Sequence, residues 1–197
     1  MIKTIFNILL KYRSKFFIVF FIEIIYIFLF RYKGNRFKVT NNKNFTDNIP
    51  TPYLFLLKID KFFKEKKIKK IVDVGCGSGR VIYFFSRKNP ELNIDGYEID
   101  KEIYSEANDI FVKNRKVKIY NRNVLKYTIK TNYDLYFLAD PFKKLYFYND
   151  FFKKILKRKK KFYIVIVNNN KSIKSIKKLN LIDYYYINKS GYKIYSN

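Results

Sequence analysis

Histidine is absent from this sequence of 197 residues. Ser-His-Asp and Cys-His catalysis need an imidazole base, and many metal sites need its nitrogen, so these chemistries are excluded. Cysteine occurs once, as Cys76. An internal disulfide is therefore impossible and a cysteine-rich metal site has no second ligand. No metal is expected, and a reducing, cytosol-facing setting fits best. Small residues are scarce as well: six glycines, four prolines and two alanines, Ala107 and Ala139. Acidic residues number 16 against 42 lysines and arginines, a formal net charge of +26. That excess is spread along a chain rich throughout in lysine, asparagine, isoleucine, tyrosine and phenylalanine, and so reads as compositional bias. Only Lys61–Lys70 and Lys153–Lys161 form clusters, each a polyanion-binding surface or a solvated face.

A hydrophobic content of 48%, with 20% aromatic residues, is far from a disordered composition. The length suits one domain with an appendage. At the front, residues 16–30 read FFIVFFIEIIYIFLF, with Lys11, Arg13 and Lys15 before and Arg31, Lys33, Arg36 and Lys38 after. The run is shorter than the roughly 20 residues that span a bilayer, but snorkelling of Lys15 and Arg31 can extend it. Glu23 costs about 3 kcal/mol at its centre, which the surrounding Phe, Ile, Leu and Val offset at roughly 0.3–0.6 kcal/mol each. The following RYKGNR offers no small-residue cleavage site, against a signal peptide. The apolar residues go round the whole helix instead of forming one stripe, against an interfacial helix. Residues 1–31 are thus expected to be an uncleaved membrane anchor. Residues 32–50 are expected to be a linker, and 51–197 a folded domain facing the cytoplasm; the flanking charges leave the orientation unread.

Beyond the linker, helical and strand patterns alternate. YLFLLKIDKFF (53–63) predicts a helix and KKIVDV (69–74) a buried strand. VIYFFSRK (81–88) predicts a helix, NIDGYEI (93–99) a strand, KEIYSEANDIFVKN (101–114) a helix and KVKIY (116–120) a strand. YDLYFLA (133–139) is a fourth strand, LYFYNDFFKKILK (145–157) a helix, KFYIVIV (161–167) a fifth strand and NNKSIKSIKKL (169–179) a helix. LIDYYYI (181–187) and YKIYS (192–196) form a closing hairpin. Helical crossovers imply a doubly wound, mostly parallel seven-stranded α/β sheet, with the terminal hairpin making the last strand antiparallel. Ligands of such sheets sit beyond the carboxyl ends of the strands.

Three of the six glycines fall within Gly75-Cys76-Gly77-Ser78-Gly79, directly after the first strand and before a helix. Glycine there permits unusual dihedrals and lets a ligand approach the backbone. Arg80 stands where a dinucleotide fingerprint places its third glycine, which disfavours a nicotinamide oxidoreductase. Glu98, in GYEID at the end of the second strand, follows the loop by about 20 residues, the spacing of an acid that takes ribose hydroxyls; Asp100 is a second candidate.

VDVGCGSGR followed by GYEID resembles motif I and the acidic motif of class I S-adenosylmethionine-dependent methyltransferases, over about residues 50–197. The resemblance implies a Rossmann-like fold and S-adenosylmethionine as cofactor. It implies Asp73 near the methionine amine, Gly75, Cys76, Gly77 and Gly79 in the loop beneath the cofactor, and Glu98 on the ribose. Where the family usually has an aspartate near the adenine, NRNVL offers Asn123. LADPF (138–142) resembles the Asp/Asn-Pro-Pro-aromatic motif of methyltransferases that act on amino nitrogens, with one proline instead of two. That makes Asp140 the candidate catalytic residue, a hydrogen-bond acceptor for an amine; alternatively Pro141 merely ends a strand and Phe142 is core. With PTPY (50–53), the chain is similar to small membrane-anchored bacterial methyltransferases and to lysine methyltransferases with an N-terminal membrane segment. The expected function is methyl transfer to an amine such as a protein lysine or a small molecule. A nucleic-acid N-methyltransferase using Lys153–Lys161 as a phosphate track, disfavoured by the anchor, and a non-catalytic tethered module are the alternatives.

Overall fold

A computed structural model describes residues 16–197 except residue 33 and residues 35–37, 39–43, 128, 130–132, 158–159, 169–172 and 188–189. Seven strands form one sheet: β1 (Lys70–Val74), β2 (Asn93–Glu98), β3 (Val117–Asn121), β4 (Leu135–Leu138), β5 (Tyr163–Val167), β6 (Asn180–Ile187) and β7 (Ser190–Ser196). Their order is β3-β2-β1-β4-β5-β7-β6. β1 to β5 pair in parallel, while β7 is antiparallel to both β5 and β6. The expected α/β sheet with its terminal hairpin is therefore present, and the hairpin's second strand is inserted between β5 and β6.

The sheet is covered on both faces because β1 and β4 are buried runs whose successive residues alternate sides. Ile71, Leu135 and Phe137 point into one core, shared with α2 (Tyr53–Glu65), α3 (Arg80–Lys88) and α4 (Lys101–Phe111). Val72, Val74, Tyr136 and Leu138 point into the other, with α5 (Leu145–Ile155). Aromatic side chains fill both layers where alanine is nearly missing; Phe63 and Phe85 stack with ring centroids 4.4 Å apart. Of the helix expected over 169–179, residues 169–172 lie outside the described residues, and 174–178 form a single 3-10 turn. The polar KSIKK buries only Ile176, too little apolar surface to hold a longer helix in place.

Residues 16–30 do form a helix, α1 (Phe16–Phe30), but it has 15 residues. Among the described residues no helix is long and apolar enough to cross a membrane, so the spanning anchor expected over 1–31 is not found; residues 1–15 lie outside the described part. The physical reason is on the helix. Val19, Glu23 and Ile27, spaced four apart, are buried against the domain, and Tyr26 and Phe30 pack on Tyr53 and Phe84. Glu23 pairs with Arg80 at the start of α3 and accepts the Tyr53 backbone N–H at 3.1 Å. The carboxylate in mid-run faces a buried partner, not lipid.

The stretch expected as a linker also runs against the domain. Lys38 bridges to Asn48, and Phe45 to Phe142. The Tyr32 hydroxyl donates to the Ser78 carbonyl, and the Ser78 hydroxyl to the Gly34 carbonyl. The described residues of 32–50 thus form a strap over the glycine loop.

Candidate active site

At the carboxyl ends of β1, β2 and β4 lies a cleft partly open to solvent, where ligands of such sheets bind. The glycine loop forms its floor. Gly75, Gly77 and Gly79 have φ of 73°, 56° and 89°, the left-handed region in which a Cβ costs energy. At Gly75 the space is needed too: a Cβ would come within 2.8 Å of the Pro141 side chain. At Gly77 it would come within 2.1 Å of Asn48 Oδ1. The loop is thus clamped between the Asp140-Pro141 turn and the strap.

Asp73 is the most unusual group in the cleft. Strand β1 carries it into the lining, its side chain is almost fully buried, and neither carboxylate oxygen has a hydrogen-bond partner. Burial, reinforced by the nearby Glu98 carboxylate, pushes its pKa up to about 8. A buried, unpartnered carboxylate of this kind is suited to an ammonium group.

Glu98 lies opposite on β2 and is held by backbone amides. Its Oε2 accepts from Gly77 N–H at 2.9 Å, and its Oε1 from Ile99 and Asp100 N–H at 2.7 and 2.8 Å. Burial raises its pKa even against these bonds. The three amides fix the carboxylate's orientation, and it retains acceptor capacity for hydroxyl donors. Asp100 lines the same cleft but is engaged elsewhere. It caps α4, accepting from Glu102 and Ile103 N–H at 3.0 and 3.1 Å, and pairs with Lys38 Nζ at 3.1 Å. Asn123 is at the cleft wall, its Oδ1 accepting from Leu125 N–H at 2.9 Å. Cys76 lines the floor, and burial pushes its thiol well above its ordinary pKa, which makes it an inert packing residue rather than a nucleophile.

Two expected residues are not in the lining. Gly79 lies at the start of α3, where a Cβ would meet the Phe111 ring at 2.7 Å; its smallness serves packing. Asp140 falls between two lining residues, Ala139 and Pro141, with φ of 48°. Its Oδ1 accepts the Tyr148 hydroxyl at 2.6 Å, and its carbonyl accepts the Thr46 hydroxyl. A non-glycine residue in left-handed backbone is held there by its surroundings, here by a buried tyrosine and the strap.

Sequence reasoning missed the strap side of the cleft: Phe45, Thr46 and Asn48 line it with Arg122. NNKNFTDN has no periodicity to distinguish a lid from a linker, so no signal marked it. Neither lysine cluster is among the described residues of the lining. Among the described residues there is no group of three or more potential metal ligands.

The cleft fits S-adenosylmethionine by its own features: an orphaned carboxylate for an ammonium, an oriented acid at ribose spacing, and a glycine floor with no room for side chains. The comparisons agree. The family model "Methyltransferase small domain" matches residues 54–196. Among solved structures, the putative methyltransferase yhhF from Escherichia coli shares 13% identity, covering 75% of this chain and 87% of that one with a TM-score of 0.62. The N-methyltransferase NodS from Bradyrhizobium japonicum WM9, in complex with S-adenosyl-L-homocysteine, shares 11% identity over 72% of this chain and 83% of that one, with a TM-score of 0.55. StiE O-MT residues 942–1257 share 19% identity over 64% of this chain, with a TM-score of 0.52; the chain spans about half, 51%, of that protein's length. These likenesses establish the fold. No curated protein matches the sequence.

Proposed function

Because the chain belongs to the methyltransferase small domain family, a class I methyltransferase domain with S-adenosylmethionine as cofactor, we infer that it transfers a methyl group to an amine, either a protein lysine or a small molecule. Bound, S-adenosylmethionine supplies an activated methyl group on a sulfonium. What remains for the protein is placement of the acceptor and exclusion of water, which suits a chain without histidine.

In this reading the Asp73 carboxylate holds the cofactor's ammonium, Glu98 its ribose hydroxyls, and Asn123 borders the adenine. Gly75 and Gly77 leave the floor clear. Asp140 receives a hydrogen bond from the acceptor nitrogen, orients its lone pair and takes up a proton. The observation that carries the amine assignment is the Asp140-Pro141-Phe142 turn: an acid in left-handed backbone at the cleft's edge, its Oδ1 positioned by a buried Tyr148 hydroxyl. Phe142 is itself buried and packs against Phe45 and Tyr148, so the ring supports the turn.

The test is methyl transfer from radiolabelled S-adenosylmethionine to a panel of lysine peptides and small amines, with Asp140→Ala beside the wild type. Turnover should fall about 100-fold, as for loss of a general base, with cofactor affinity within about twofold. Collapse of cofactor affinity in the variant would make Asp140 a cofactor residue and remove the amine assignment.

A further inference from the structure

With Val19, Glu23 and Ile27 turned into the domain, the opposite side of α1 faces solvent and is entirely apolar. Phe17 and Phe28 are each 70% exposed, Leu29 67%, and Ile18, Phe21 and Ile25 between 49% and 59%. Positions 17, 21, 25 and 28 follow one helical stripe, with 18 and 29 beside it. Six large side chains this exposed make an apolar face on the order of several hundred Å², a size at which such a face marks an interaction site. A helix apolar all round thus becomes amphipathic in the fold: the domain takes one side and leaves the other.

The charge that flanks α1 along the sequence selects the occupant. Residues 1–46 contain nine lysines and arginines and one acid, Glu23, and Glu23 is consumed by Arg80. A second copy of the chain on this face would bring like charge against like. An anionic surface is complementary on both counts, receiving the aromatic and aliphatic side chains and neutralising the flanking cations. The helix cannot enter such a surface end-on, because it is held to the domain along its length. Val19 is buried near one end, and the Phe30 carbonyl accepts the Tyr83 hydroxyl at 2.9 Å at the other.

We propose that α1 lies flat in one leaflet of an anionic lipid membrane, seating Phe17, Ile18, Phe21, Ile25, Phe28 and Leu29 among the acyl chains while its other side stays docked on the domain. This makes the protein monotopic, with the cleft on the same side of the membrane as the helix. It is independent of the methyl acceptor.

The absence of tryptophan gives a clean probe. Full-length Phe17→Trp and Phe28→Trp variants, each with a single tryptophan, are mixed with vesicles of phosphatidylcholine containing about 30% phosphatidylglycerol. The lipids are brominated at shallow or deep acyl positions. Both tryptophans should be quenched alike by shallow bromines. Binding should weaken at least about tenfold on neutral vesicles and in high salt. A Phe17→Ser/Phe21→Ser/Phe28→Ser variant, confirmed folded by an unchanged thermal transition, should lose binding to the anionic vesicles. Different quenching depths for positions 17 and 28 would overturn the flat orientation. No vesicle binding by the wild type, or a dimer in light scattering that the triple variant abolishes, would overturn the lipid assignment.

Discussion

Glu23 and Arg80, 57 residues apart in sequence, form an ion pair in which both side chains are almost wholly withdrawn from water. The Arg80 guanidinium also lies 4.6 Å from the Tyr53 ring centroid and donates to the Thr51 carbonyl at 3.3 Å. Removing one member of a buried pair strands the other. Glu23→Ala should therefore cost about 3 kcal/mol, which lowers the midpoint of a thermal scan by roughly 6–12 °C for a chain of this size. The Glu23→Leu/Arg80→Leu double variant should recover much of that loss. A double variant that loses the sum of the two single-variant losses would show that the pair is not coupled.

Asp73 sets a pH dependence whose sign follows from its raised pKa. The unfolded chain ionises this group near an ordinary carboxylate value, whereas the fold keeps it protonated up to about 8. Between those limits the native state binds one more proton than the unfolded state, so the group's contribution to stability is full below pH 4 and is lost as pH rises towards 8. Denaturant titrations of the ligand-free protein from pH 5 to 8 should show this decline. Asp73→Asn should remove it and be more stable at neutral pH by about 2–4 kcal/mol.

The same carboxylate predicts a proton balance on binding. An ammonium brought against Asp73 favours its ionised form, so binding of S-adenosylmethionine at pH 7 should release close to one proton from this group. Calorimetric titrations in two buffers of different ionisation enthalpy would measure it. A binding heat independent of buffer would mean that Asp73 does not receive the ammonium.

Tyr148 donates to Asp140 Oδ1 from a fully buried position. Tyr148→Phe removes that bond and little volume. Turnover should fall about tenfold, equivalent to roughly 1.4 kcal/mol, with cofactor affinity unchanged. An equal loss in both quantities would place the tyrosine in general packing.

Gly77 has φ of 56° and faces Asn48. Gly77→Ala carries a left-handed backbone cost of about 1–2 kcal/mol and a clash with the strap, so cofactor affinity should drop by at least about tenfold. Asn48→Ala on that background relieves the clash and leaves the backbone cost, so recovery should be partial. Full recovery would show that sterics alone set the requirement for glycine.

The strands were legible because β-branched and aromatic runs such as KIVDV and YIVIV are bounded by turn residues, and the loop because three glycines interrupt a chain that hardly uses them. Glu98 could be found by its spacing from that loop. Strand order was not legible: a hairpin fixes that β6 and β7 are neighbours, not which of them joins β5. The role of α1 was hidden by its uniformity, since a helix apolar on all sides does not reveal which side a domain takes. Glu23 looked like a penalty in lipid because its partner lies far along the chain. Asp100 stands in the cleft lining as expected, and the sequence did not show that it also caps α4. The strap's contacts are tertiary and leave no period in the sequence.

The strap has a consequence for how the molecule is assembled during folding. Lys38 reaches Asp100 across 62 residues, and the Thr46 hydroxyl reaches the Asp140 carbonyl across 94. Contacts of such separation close long loops, so they form slowly compared with local ones. They also require β2 and β4 to be in register before there is anything to bind. The strap precedes the sheet in the chain yet settles after it, and the cleft acquires its roof only once the sheet beneath is complete.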